Sequence, residues 1–222
     1  MPKGTSVSDT DSFIDEVNEE VRRDRLFALI KRYGWIAVVL VLAIVGGAAW
    51  NEWQKSKART ASEAFGDALL DALDEKSSDE RIAALQAVQA DTPDQKALVA
   101  FLASSEAAAG AEDPVRAAAA LENLPVTGFY ADMAKFKQLL LQSGQVPAAE
   151  RRAGFETLAV AGNPLRLLAA EQIALTYVEE GDTKSALDQL HTILGDAEVT
   201  QGLRQRASQL IVALGGDPAT AG

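Results

Sequence analysis

Residues 35–50 read WIAVVLVLAIVGGAAW, with no charged or strongly polar side chain between the two tryptophans. With its flanks, Tyr33 to Trp53, the stretch makes about 31 Å of helix, close to the roughly 30 Å hydrocarbon core of a bilayer. Ile36, Val38, Val39, Leu40, Val41, Leu42, Ile44 and Val45 each favour insertion by about 0.3–0.6 kcal/mol, roughly 2.4–5 kcal/mol together. Tyr33 and Trp35 stand at one end, Trp50 and Trp53 at the other, where amphipathic rings meet the two headgroup layers. Ala43 and Gly47, four apart, offer a small face on which another helix can pack closely in the membrane. The reading is a retained transmembrane signal anchor over 34–53, a tail over 1–33 and a separate domain over 54–222.

Two other readings fit an apolar run of this kind. A cleaved leader would use Gly47 and Ala49 as its small residues, but the 34 residues ahead of Trp35 exceed an ordinary basic leader region. A buried core helix would need cover on every side, which the remaining chain is too small to give. Arg22, Arg23, Arg25, Lys31 and Arg32 precede the run, whereas Lys55, Lys57 and Arg59 follow it, so the positive-inside rule puts the N-terminus in the cytoplasm. In a Gram-negative bacterium that makes a single-pass inner-membrane protein with a periplasmic C-terminal domain. In the tail, Ser12 and Asp15 form a weak capping signal, and Phe13, Ile14, Val17 and Val21 draw one narrow apolar stripe on a short amphipathic helix. That stripe belongs to a solvated helix whose arginines attract anionic lipid, or to a docking face.

The 222 residues include no cysteine, which removes disulfides, thiolate metal sites and thiol nucleophiles together. One histidine, His191, is too few for an imidazole zinc site. The formal net charge of −11 argues against a broad nucleic-acid surface.

Beyond Arg59 the chain is rich in alanine and leucine, with no sustained alternation of β-branched residues, so the expectation is all-α. Ser77 with Glu80, and Thr92-Pro93 with Gln95, have the spacing of capping boxes. Asp113-Pro114 and Asn163-Pro164 each set a cap residue before a first-turn proline. Gly110, Gly144, Gly162, Gly181, Gly195 and Gly215 fall where a positive φ would end a helix. About nine helices joined by short turns imply antiparallel hairpins.

The hairpins recur. Ala170, Ile173, Ala174, Tyr177, Gly181, Ala186, Leu190 and Ile193 occupy the large and small packing positions of a tetratricopeptide repeat. Ala174 and Ala186 let two helices approach, and Tyr177 and Leu190 fill the groove on either side. A shift of 37 residues back finds Met133, Phe136, Leu140, Gly144 and Ala149, and a further 32 finds Phe101, Ala117, Leu121 and Leu124. The fold expected is a tetratricopeptide-like α-solenoid whose concave face takes a segment of another protein.

No phosphate-binding loop, dinucleotide fingerprint or nucleophile elbow occurs, and no cofactor is expected. His191, one turn after Asp188, has no nucleophile at a readable spacing, and Glu179-Glu180 read as solvent-facing charges. The expectation is a non-enzyme.

The order of tail, apolar helix, WQKSKARTASEAFGDALLDAL and degenerate hairpins resembles the YfgM-type family, the ancillary subunit of the Sec translocon. The likeness is strongest at Ala58–Phe65 and at the Phe101–Leu124 hairpin. It implies a chaperone-like scaffold whose partners are the SecYEG channel, a periplasmic peptidyl-prolyl isomerase-type foldase and emerging polypeptides. The alternative is an envelope-assembly or cell-division protein whose repeats bind a cell-wall synthesis factor.

Overall fold

The computed structural model describes the backbone of residues 8–220 and the side chains of residues 31–219, residue 37 aside. Helix α1 runs from Ser8 to Leu73. Ser12 therefore lies inside the helix and not ahead of it: Ser, Asp and Thr cap about equally well, so the run SDTDS marks no single start. The stripe Phe13, Ile14, Val17 and Val21 and the arginines Arg22, Arg23 and Arg25 fall outside the described side chains.

Two compact units divide the chain, Met1–Glu63 and Ala64–Gly222. In the first, the apolar run is exposed along its length, and the window that qualifies it to cross a membrane has none of its residues buried. Past Trp53 the helix turns polar, and Arg59 Nε donates to Glu63 Oε1 at 2.8 Å one turn on.

The second unit opens with the last ten residues of α1 and continues through α2 (Ser78–Ala87), α3 (Pro93–Ser105) and α4 (Pro114–Ala119). There follow α5 (Phe129–Leu141), α6 (Ala148–Glu156), α7 (Arg166–Glu179), α8 (Thr183–Leu194) and α9 (Gln201–Ala213). A π-helical turn, Glu106–Gly110, prolongs α3, and a 3₁₀ turn, Pro218–Thr220, ends the described chain. No strand occurs among the described residues.

Local chemistry sets most boundaries. Ser77 and Thr92 each accept from the backbone N–H three residues on, while Glu80 and Gln95 reach back to the cap's own N–H. Asp113 Oδ1 accepts from Arg116 N at 2.9 Å, ahead of Pro114 at the start of α4. Asn163 behaves differently from the expected cap. Its Oδ1 accepts from Leu165 N at 2.8 Å, an Asx turn that holds Pro164 outside the helix, and α7 starts only at Arg166. Gly144, Gly162, Gly181 and Gly215 take positive φ, but Gly195 has φ −75° and Gly110 is not left-handed. Gly110 is small for another reason: a Cβ there would run into the Ser78 hydroxyl.

Four apolar clusters are strung along the unit, as a stacked array requires. Leu69, Ala72, Leu85 and Ala103 form the first, Ile82, Ala107 and Ala117 the second. Phe155 with Leu139, Leu158, Ala169 and Ile173 forms the third, and Leu190, Ile193, Leu203 and Ile211 close the last around Ala174. From α2 to α9 each helix packs mainly on its neighbours in sequence.

Ion pairs stitch the same joints. Arg81 Nε meets Glu106 Oε2 at 2.8 Å, and Arg152 meets Glu180 at 2.6 Å with its guanidinium 4.3 Å from the Tyr177 ring centroid. Arg151, almost fully buried, donates to Glu179, which is 43% exposed. Its environment makes the pair asymmetric. Glu179→Ala strands a buried cation and should cost about 2 kcal/mol, whereas Arg151→Met leaves a carboxylate that water can reach and should cost less. Urea titration of both variants reads the difference; equal losses would contradict the asymmetry.

Arg166 holds Asp196 at 2.6 Å and Glu198 at 2.6 Å, tying the start of α7 to the turn after α8. The Arg166 hydrogen bond, aided by the Glu198 N–H, depresses the Asp196 carboxyl to about 2. Because the folded value lies below the unfolded one, this contribution to stability is complete above about pH 4 and fades as pH falls through about 2. D196N should therefore narrow the difference between urea midpoints measured at pH 5 and pH 2.5, relative to the unchanged chain.

Candidate interaction surface

Along the first unit Tyr33, Trp35, Trp50 and Trp53 all point outward. Trp50 and Trp53 lie with ring centroids 5.2 Å apart, and Lys57 Nζ stands 3.9 Å from the Trp53 ring centroid. At the other end the Arg32 guanidinium is 5.8 Å from the Tyr33 ring. Aromatic rings backed by cations at both ends of an apolar stretch suit the two polar layers of a bilayer. Ala43 and Gly47 are exposed, and a Cβ added at Gly46 or Gly47 would meet nothing within 4 Å.

In the second unit the structure buries Ala117, Leu121, Ala170, Ala174, Ala186 and Leu190, and part-buries Phe101, Met133, Phe136 and Tyr177. Tyr177 packs towards α5 and α6, and Leu190 packs towards α9, on opposite sides of the α7–α8 hairpin. The middle copy is out of register. Ala149 is exposed, and Ala134 and Leu139 are the buried residues of α5, next to the expected Met133 and Leu140. Leu139, Leu140 and Leu141 are consecutive, so composition cannot say which of them faces inward. Close approach of α6 is provided by Gly154, where a Cβ would fall 2.6 Å from Leu139 Cδ2.

Glu179 and Glu180 face solvent as expected, and each is also paired, with Arg151 and Arg152 respectively. The signal was present as two adjacent arginines and two adjacent glutamates one hairpin apart. His191 Nε2 lies 3.1 Å from the Asp217 carbonyl oxygen, and Asp188 pairs with Lys184 at 2.7 Å. Among the described residues no group of three or more His, Cys, Asp or Glu could hold a metal ion.

Between α7 and α9 an open groove of about 530 Å³ is lined by Gln172, Leu175, Gln209, Leu210 and Ala213. Glu171, nearly buried, grips Arg206 with both oxygens, at 2.8 and 2.7 Å, across its floor. That hydrogen-bonded pair raises the Arg206 pKa and leaves the groove without an unmatched charge. The surface can lay apolar contacts and side-chain amides against a polypeptide.

Stacked helical hairpins preceded by a helix long and apolar enough to cross a membrane define a helical-repeat protein of the partner-binding class. The chain belongs to the tetratricopeptide repeat-like domain family, whose model matches residues 30–160. The match takes in the apolar helix and the hairpins through α6 and ends before α7 and α8, the pair whose sequence most resembles the general repeat. No curated protein and no solved structure matches the chain.

Proposed function

We propose that this chain is a membrane-anchored, non-enzymatic scaffold that binds protein partners beside the Sec translocon. Its N-terminus lies in the cytoplasm and its repeat domain in the periplasm of a bacterial inner membrane. The observation that carries the reading is the exposed apolar helix, girdled by aromatic rings, in the same chain as a stack of helical hairpins. The stalk keeps the repeats at high effective concentration near emerging segments, so individual contacts can be weak. The resemblance to the YfgM-type family supports the SecYEG channel, a peptidyl-prolyl isomerase-type foldase and emerging polypeptides as partners. Ala43 and Gly47 form the face proposed to meet a partner helix in the membrane.

Photocrosslinkers at positions 43 and 47 test the intramembrane contact, and mild-detergent pull-down with mass spectrometry tests the partner set. Recovery of channel subunits is the expected result. Labelling of lipid alone, with recovery of peptidoglycan-synthesis proteins, would overturn the translocon assignment in favour of an envelope-assembly or division role.

A further inference from the structure

The aromatics of the second unit are used unequally. Phe155 is buried with its ring edge-on to Phe136, Phe65 packs on the first cluster, and Phe101 and Tyr177 lie under Lys137 and Arg152. Phe129 and Tyr130 alone in that unit are large rings left outside: they are 45% and 47% exposed, side by side with centroids 6.2 Å apart. They open α5 directly after a shaped loop. Asn123 (φ 51°) and Gly128 (φ 64°) turn the backbone, Leu121 is buried at its root, and Leu124 and Val126 lie half-buried beside α5. From Asn123 to Ala131 there is no charged residue; of the flanking carboxylates, Asp132 accepts from the Asn163 amide at 3.0 Å, and the exposed Glu122 accepts from the Gln138 amide at 3.4 Å.

We propose that Phe129 and Tyr130 dip into the headgroup layer of a phospholipid bilayer, giving the repeat domain a peripheral membrane contact in addition to α1. The inference rests on the reading of α1 as a retained span. An amphipathic tyrosine beside a phenylalanine, in a nine-residue segment that itself carries no charge, is the chemistry of a membrane interface. Residues 60–222 hold twice as many acidic as basic residues, so most of this surface is repelled by anionic lipid within a Debye length, about 8–10 Å. The charge-free tip is where that repulsion is weakest.

Because the natural chain has no cysteine, nitroxide labels can be placed singly in the full-length protein. The label sites are L40C in the span, F129C at the tip and V212C on the exposed face of α9, each in vesicles of phosphatidylethanolamine and phosphatidylglycerol. Contact predicts a ratio of oxygen to nickel-chelate collisions at position 129 severalfold above that at 212 and below that at 40. Y130C, replacing an equally exposed ring, should repeat the result. A water-like ratio at 129 with a lipid-like one at 40 overturns the tip contact and leaves the span standing. Low collision with both reagents at 129 means that protein covers the tip, and also overturns it. A water-like ratio at 40 removes the span and the tip contact with it.

Discussion

Placing arginine at both Leu40 and Ile44 should release the chain from membranes on carbonate washing. Each arginine near the centre of a span costs about 2.5–3.5 kcal/mol, so two cost about 5–7 kcal/mol. That exceeds the roughly 2.4–5 kcal/mol by which the eight strongly apolar residues favour insertion. Both side chains are exposed, at 57% and 63%, and neither belongs to an apolar cluster of the second unit, so the substitution tests lipid affinity without unpacking the repeats. A variant that stays in the membrane pellet would show that something other than this helix holds the protein there.

Phe155→Ala should be the most damaging single truncation in the repeat domain. The ring is fully buried among Leu139, Leu158, Ala169 and Ile173, with Phe136 edge-on at 5.6 Å between centroids. Large-to-small changes of this kind cost about 3–5 kcal/mol. With a urea dependence of about 2 kcal/mol per molar, the midpoint should fall by about 2 M. Val212→Ala, at a residue 60% exposed, should stay within about 0.5 kcal/mol of the unchanged chain. Because the core is divided into four clusters, protection from hydrogen exchange should be lost first in α5 to α7. Uniform loss across all helices would instead show a single cooperative block.

The apolar helix was plain because length, hydropathy and ring placement all agree over one uninterrupted run. So were the starts of α2, α3 and α4, where a capping side chain and its backbone target lie within four residues of each other. The α7–α8 hairpin was legible because small residues at 174 and 186 alternate with large ones in a distinctive spacing. Hairpins with blunter patterns were not. Three successive leucines hid the register of α5, and nothing local announced the π turn, where Ala111 N reaches back to Glu106 O at 2.9 Å. Phe155 sits in ERRAGFETL, a mostly polar stretch, and is buried because α5 and α7 close over it; that is a tertiary fact. The burial of Arg151 is tertiary in the same way, since a cation is kept from water only when a partner such as Glu179 arrives from the next helix. The exposed Phe129–Tyr130 pair was invisible from the other direction, because the sequence cannot say which rings the clusters leave out.

The stitches between hairpins join residues that are never far apart along the chain. Arg81 and Glu106 are 25 positions apart, Arg151 and Glu179 are 28, Arg166 and Asp196 are 30, and Arg206 and Glu171 are 35. Short separations keep loop-closure entropy low and speed folding. As the chain is synthesised from its N-terminal end, each joint can therefore be secured once the next few dozen residues have emerged, without waiting for the far end.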